Sequence, residues 1–468
     1  MRSLQHRVRS LADRLDGRLL VPGDAGYDEA RTVWNAMVDR RPRVIVRCAS
    51  PDDVAAAVRF AREHDLEIGV RCGGHSVLGL SVPEGGLMID PTPMGGVRVD
   101  PGRRRAWVQG GALLGALDRA TQAHGLATTA GNVSHTGVGG LTLGGGMGWL
   151  ARRFGLSCDN VAAFDLITAD GNLVRAGETE NADLFWGLRG GGGNFGIVTE
   201  FEFRLHTAGT RALIADLFFP VDDALPVLRG WRELNATAPR QATFTARVGE
   251  SDGRPLVSVG FVWVGDPDEG RRLIPSLRSL GRPVAERLEE LSYVELQRMD
   301  DSSQGPGLRR YWKGHYFRTF TDEAIQAYLL RGTPDGRGEH LPAVELQAYG
   351  GAIADTPDSD AAFSQRDTTF EFVAAARWTN PAEDEARIAA ARRCAAGLDR
   401  YATGAYVNVL TDEGAAGVAR AYPPHKLARL IALKDAYDPV NVFHLNQNIR
   451  PGEGGRYRNA VAGRATQS

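Results

Sequence analysis

The stretch Arg71-Cys72-Gly73-Gly74-His75-Ser76 sets a guanidinium, two adjacent glycines, an imidazole and a hydroxyl side by side. Two glycines let the backbone turn sharply, and the N–H groups of such a turn can converge on phosphate oxygens. Arg71 adds a charged fork and Ser76 a hydroxyl donor, both suited to a diphosphate. His75 adds a nucleophilic nitrogen that can be held against a ligand. A second stretch, Gly131 to Gly148, is dense in glycine yet interrupted by Val138, Leu141 and Leu143. Flexible linkers are rich in serine and poor in leucine, so this run reads as backbone laid against a large flat or phosphorylated ligand.

The elements around these stretches follow from local pattern. Leu4, Val8, Leu11 and Leu15 predict a short helix over 3–15. Val44-Ile45-Val46 reads as a strand, and Ser50-Pro51-Asp52-Asp53 as the capped start of a helix over 52–64. Residues 66–70 form the next strand, completing a β-α-β unit that delivers His75. Strands are expected at 87–90 and 105–109, then a helix over 112–124. Asp170-Gly171 predicts a hairpin between strands at 161–168 and 173–176. Gly191, Gly193 and Gly196 satisfy G-x-G-x-x-G, but a helical pattern precedes them and the β-rich Ile197–Phe203 follows. A nicotinamide site needs the reverse order, so a Rossmann site is excluded.

Length bounds the rest. A chain of 468 residues exceeds one ordinary core, so two or three domains are expected. The formal net charge of -2 argues against an electrostatic nucleic-acid binder. Cys48, Cys72, Cys158 and Cys394 have no metal-ligand spacing and no disulfide-scaffold density, so no metal site is expected. With no apolar signal core or membrane-spanning run, the expectation is a soluble cytoplasmic protein without a membrane partner.

Taken together, these segments resemble the vanillyl-alcohol-oxidase superfamily, in the branch of berberine bridge enzyme and 6-hydroxy-D-nicotine oxidase. The resemblance rests on Arg71–Ser76, Gly131–Gly148, Phe154–Asn160, Asp183–Trp186 through Thr199, and the closing Tyr437–Ile449. It implies an α+β fold: a two-lobed PCMH-type FAD-binding domain from residues 1–205, a substrate domain over 206–405 with an antiparallel sheet backed by helices, and a segment 406–468 returning to the first domain. It implies FAD contacts from Arg71, Cys72, Gly73, Gly74, His75, Ser76, Gly79, Gly131, Ser134, Thr136, Gly137, Gly140, Leu143, Gly144, Ile197, Val198, Asn446 and Asn448. It also implies one covalent bond, from His75 to the 8α carbon of the flavin. Many members add a cysteine tether to flavin C6; Val133 stands at that place here, so no second link is expected.

In the middle of the chain, strands are expected at 212–219, 243–249, 255–264, 311–317, 342–349 and 369–378, with helices at 222–233, 267–280, 322–330 and 382–396. Lys313 and His315 read as a surface ion pair or a satisfied histidine. Tyr406-Val407-Asn408 matches the family's Tyr-x-Asn motif; on a strand the two polar residues share a face, and a Tyr406 with lowered pKa would serve as base. Glu345 and Gln347 share a strand face in a region that related enzymes place over the flavin. A helix over 424–436 should stop at Asp438-Pro439, with a frayed Gly- and Arg-rich tail after Pro451. The resulting expectation is an oxidase taking hydride from a C–OH or C–N carbon of a small molecule and reducing O2 to hydrogen peroxide. A dehydrogenase with another acceptor, or a non-catalytic flavin-binding protein, remains an alternative; oligomeric state is open.

Overall fold

The structure, a computed structural model, describes residues 4–251 and 254–452. The tail expected to fray lies, from residue 453 on, outside the described residues. Two sheets build the N-terminal half. In the first, Val44–Arg47 and Ile68–Val70 both pair parallel with Leu87–Asp90, and Arg18–Leu20 adds an antiparallel edge. The crossover helix Pro51–Glu63 starts where expected: the Ser50 hydroxyl accepts the Asp53 N–H at 3.3 Å. Its Val54, Ala57, Val58 and Ala61 are fully buried against the strands.

The second sheet runs Val97–Asp100, Arg105–Gln109, Ile197–Arg204, Val161–Ile167, Leu173–Gly177, every pair antiparallel. Helix Ala182–Leu188 precedes the Gly190–Gly196 run and strand Ile197–Arg204 follows it, the order that rules out a Rossmann turn.

A seven-stranded antiparallel sheet dominates the middle of the chain. Its order is Ala285–Ser292, Arg211–Pro220, Arg254–Val264, Ala242–Ser251, Ala343–Ala348, Phe370–Trp378, Arg309–Phe317. Period-2 alternation gives it two unlike faces. Val257, Val259, Phe261, Leu346 and Phe372 point to one side, where helices Ala224–Ala236, Asp322–Leu330 and Asp384–Ala396 bury them. Thr245, Glu345, Gln347 and Glu371 lie on the other side, which turns toward the N-terminal half. There the Thr243 hydroxyl donates to the Trp149 carbonyl at 3.2 Å.

Two expectations need correction, and two elements go beyond them. The helix over 267–280 is two short ones, Pro267–Arg271 and Ile274–Arg278, because Pro275 cannot donate to the preceding turn. Strand Ala285–Ser292 was not anticipated; it is charged and sits at the sheet edge, where polar residues face water. Within the Gly131–Gly148 run, Val138–Leu143 winds into a short helix with Val138, Thr142 and Leu143 buried. Tyr406 and Asn408 are not on a strand: after one bridge from Gly404 to Tyr316 the chain leaves the sheet and turns as a 3-10 helix at Val407–Val409.

Lys313 is ion-paired with Asp412 and Glu413, both at 3.0 Å, and the buried His315 ring lies 3.0 Å from the Ala395 carbonyl. At the end of the C-terminal helix Pro424–Tyr437 lies a fully buried ion pair, Lys434–Asp438, whose lysine ties the segment to the Asn194 carbonyl of the first half. Lys434 Nζ donates to Asp438 at 2.6 Å and to the Asn194 and Phe443 carbonyls at 2.9 Å each. Asp438 in turn accepts the Val442 and Phe443 N–H groups at 2.7 and 2.9 Å. Every charge of the pair is therefore hydrogen-bonded, the condition for burying it.

Candidate active site

Two turns close on each other to form the floor of the site. Gly73 and Gly74 sit at φ +73° and +71°, backbone that only glycine adopts without strain. A Cβ on Gly137 would fall 2.1 Å from the Cys72 carbonyl oxygen, so the two backbones touch. Among the described residues, no protein acceptor takes the backbone N–H groups from Gly73 to Val77. Such a row of free donors is what a diphosphate requires. Arg71 is turned aside: its Nε and one terminal nitrogen donate to the Thr32 carbonyl at 3.2 and 2.9 Å. The Ser76 hydroxyl accepts the Leu80 N–H at 3.2 Å, and Gly79 is the buried corner of that turn.

His75 stands at the end of the floor, 2.7 Å from the Nδ1 of His135 through its own Nε2. Its Nδ1 is 3.3 Å from the Thr136 hydroxyl, and its ring stacks on Trp34 at 5.0 Å. Burial, with His135, Arg310 and Arg71 close behind it, lowers its pKa to about 3. The imidazole is therefore neutral, the form in which a ring nitrogen is nucleophilic. Ser134 is taken by Asp301, whose carboxylate accepts its N–H at 2.9 Å and its hydroxyl at 2.7 Å.

The expected catalytic pairs divide. Asn408 Nδ2 donates to the Tyr406 hydroxyl at 2.9 Å and to the Leu141 carbonyl at 3.1 Å, so the two residues meet without a strand. The Gly146 N–H also donates to the Tyr406 oxygen, at 2.8 Å. Burial nevertheless raises the Tyr406 pKa, against the lowered value expected, because desolvation of the phenolate outweighs both donors. Tyr406 is thus a neutral hydroxyl. Glu345 is drawn off into ion pairs with Arg247 and Arg377, each at 3.6 Å. Gln347 lies on the cleft side with its Nε2 buried and unpaired.

Glu371 is the residue that sequence reasoning missed. It stands opposite Gln347 on the adjacent strand, and its carboxylate accepts the Tyr349 hydroxyl at 2.7 Å. Burial pushes its pKa up to about 7, with only the Tyr349 bond opposing. The available signal was a single carboxylate inside the otherwise apolar run Phe370–Ala376.

The remaining atoms fit FAD. Asn132, Asn446 and Asn448 each carry a buried side-chain oxygen with no partner, and so does Thr142. Buried polar atoms of this kind call for hydrogen-bonding groups from outside the chain. Gly140 and Gly193 face open space where a Cβ would meet nothing, so protein packing does not account for glycine there, and close approach of a ligand does. Asn446 Nδ2 donates to the Gly193 carbonyl at 3.0 Å, which brings the C-terminal segment to the same place. Gly131, Leu143 and Gly144 line the second glycine run; Gly144 abuts the Asn408 amide and leaves no room for a Cβ. Ile197 and Val198 begin the strand behind it, nearly fully buried.

Comparison with known proteins agrees with this geometry. Residues 42–177 match a family described as FAD binding domain, and residues 405–450 one described as berberine and berberine like. The chain is 31% identical to the FAD-linked oxidoreductase YvdP of Bacillus subtilis, over 94% of this chain and 99% of that protein. It is also 31% identical to (R)-6-hydroxynicotine oxidase of Paenarthrobacter nicotinovorans, over 93% and 97% of the two chains. The crystal structure of 6-hydroxy-D-nicotine oxidase from Arthrobacter nicotinovorans superposes with a TM-score of 0.83 at 29% identity, covering 94% of this chain and 98% of that one. A cradle of free N–H groups and unpaired amides, a neutral histidine at its end and relatives matched over nearly their whole length place this chain in the FAD-linked oxidoreductases, as an enzyme of the berberine-bridge-enzyme-like branch of the vanillyl-alcohol-oxidase superfamily.

Proposed function

We propose that the protein is an oxidase that removes two electrons from a C–OH or C–N carbon of a small molecule and passes them to dioxygen, giving hydrogen peroxide. FAD, when bound, supplies the redox step as acceptor of the substrate hydride. The chain's part is to hold, orient and deprotonate. Gly73–Val77 take the diphosphate, and Asn132, Thr142, Asn446 and Asn448 take the polar groups of the ring and its side chain. His75 carries the cofactor through a single covalent bond. Val133 offers no nucleophile for a second, and Cys158 is fully buried with its pKa raised by that burial.

The observation that carries the chemical assignment is Glu371. A carboxyl with its pKa near 7 can take the proton of a hydroxyl or an ammonium group as hydride leaves the carbon. Gln347, opposite it, has an unpaired amide donor for a substrate oxygen. Tyr406, kept neutral, offers its own O–H as a second fixed donor. The substrate would enter between the glycine floor and the polar face of the seven-stranded sheet.

The test is a panel of secondary alcohols, sugars and cyclic amines added to the protein without oxygen. A true substrate bleaches the visible flavin band, and admitting air restores the band with one equivalent of hydrogen peroxide. Bleaching that only a dye acceptor reverses would make the protein a dehydrogenase instead.

A further inference from the structure

Glu371 and Gln347 are one end of a longer row. Cross-strand partners continue from Glu371 through Gln347, Thr245 and Gly260 to Asp216, over five neighbouring strands of the large sheet. Residues in register on neighbouring strands point to the same face, so the whole row belongs to the polar side. It runs along the foot of a wall. One step up the strands on this face, Ile214 and Val262 pack against Trp149 and Leu150 of the first half. One step down, Phe218 and Ser258 are half-buried.

Gly260 leaves a gap in the row, and Asp216 occupies it. A Cβ on Gly260 would fall 2.5 Å from Asp216 Oδ1 and 2.0 Å from the Ala215 carbonyl oxygen. The Asp216 carboxylate thus lies over the glycine, aimed along the row toward Thr245 and the buried, unpaired Gln347 amide. It has no partner of its own. Arg287, its neighbour on the edge strand, is turned to Glu289, donating from Nε and Nη2 at 2.9 and 2.6 Å. Asp300, on the loop after helix Tyr293–Leu296, brings a second carboxylate near instead of a cation. No donor among the described residues hydrogen-bonds either group. Burial, opposed by Arg287 and reinforced by Asp300, raises the Asp216 pKa to about 6. A largely buried carboxylate without a donor calls for one from outside the chain. An ammonium supplies three N–H donors and the missing positive charge, where a hydroxyl supplies one donor and no charge.

We infer that Asp216 is a specificity-determining residue: it anchors the second ammonium group of an elongated diamine whose other amino-bearing carbon is oxidised at Glu371. The inference rests on the proposed role of Glu371. The two residues stand four strand spacings apart, about 19 Å between backbones, less the reach of the two side chains. A long diamine spans that distance and a short one does not. At the Asp216 end no bond is made or broken; the residue acts on affinity and leaves the chemical step to the other end of the row.

The experiment mixes the holoenzyme, without oxygen and at about pH 8 so that Asp216 is ionised, with dodecylamine, α,ω-diaminododecane and α,ω-diaminobutane. Stopped-flow bleaching of the flavin gives a dissociation constant and a limiting rate for each. Wild type should bind diaminododecane on the order of 10- to 100-fold more tightly than either of the others, with similar limiting rates for the two long amines. Asp216→Asn keeps the shape and removes the charge. It should lose the preference for diaminododecane over dodecylamine while flavin content and limiting rate stay as in wild type; a merely structural role would weaken both long amines alike. Equal affinities in wild type, a comparison that needs no variant, or a preference that survives in Asp216→Asn overturns the inference. Flavin bleached by alcohols or sugars but by no amine would overturn it and leave the oxidase reading standing. Flavin bleached by none of these compounds would overturn the oxidase reading and this inference with it.

Discussion

Glu371 and Gln347 face each other across adjacent strands of the large sheet, and neither is neutralised by its surroundings. The carboxylate has one partner, the Tyr349 hydroxyl, and no lysine or arginine among the described residues pairs with it. The amide nitrogen opposite has none. These two unspent polar groups, on a sheet whose other side is apolar core, are the ones that the proposed oxidase would use to hold and deprotonate its substrate.

Replacing Glu371 by Gln keeps the shape and the Tyr349 bond but removes the proton acceptor. Anaerobic flavin reduction by the substrate found in the panel should slow by about two to four powers of ten. Flavin content should not change. A rate within a factor of a few of wild type would take Glu371 out of the mechanism.

The pH profile follows from the raised pKa. The ionised carboxylate is the acceptor, so the reduction rate should rise as pH passes through about 7. Stability runs the other way. The folded protein holds a proton that the unfolded chain, at its ordinary value of 4.5, has released. Stability therefore falls as pH rises from 4.5 toward about 7 and is flat above. In Glu371→Gln the rate limb should vanish, while the fall in denaturation midpoint should shrink without vanishing, because buried Asp118 (raised to about 7) and Asp216 (raised to about 6) contribute to it in the same sense.

The contrast between Glu371 and Tyr406 shows what could be read from the chain alone. The glycine turns, the hairpin at Asp170-Gly171 and the β-α-β unit were legible, because each is set by local backbone chemistry. The shared face of Glu345 and Gln347 was legible from period-2 alternation, but the capture of Glu345 by Arg247 and Arg377 depends on strands distant in sequence. Tyr406 stood out by its motif, while its raised pKa comes from burial beside Tyr316 and Phe363, distant in sequence, which outweighs the opposing hydrogen bond from the Gly146 N–H. Glu371 was hidden because an apolar strand says nothing of which neighbour faces its one carboxylate.

Replacing Tyr406 by Phe leaves the buried Gly146 N–H without its acceptor. The cost should be about 1–3 kcal/mol, read as a lower denaturant midpoint. The fall in anaerobic reduction rate should be smaller than for Glu371→Gln. An equal or larger fall would return the base to Tyr406.

The Lys434–Asp438 pair makes a separate prediction about how the chain ends are joined. Both side chains are fully buried. Lys434→Met strands the Asp438 carboxylate and should cost about 3–5 kcal/mol in urea unfolding. Asp438→Asn strands the ammonium and should cost a similar amount. Losses under 1 kcal/mol would mean that the C-terminal helix is held by apolar packing alone.

The claim that most depends on this geometry is a flavin held by one bond, at His75, with none at Val133. Proteolysis of the acid-denatured protein followed by peptide mass mapping tests it directly. The account predicts one flavin-bearing peptide, containing His75, and its disappearance in His75→Ala. Flavin released wholly into the acid supernatant, or a second flavin-bearing peptide, would contradict it.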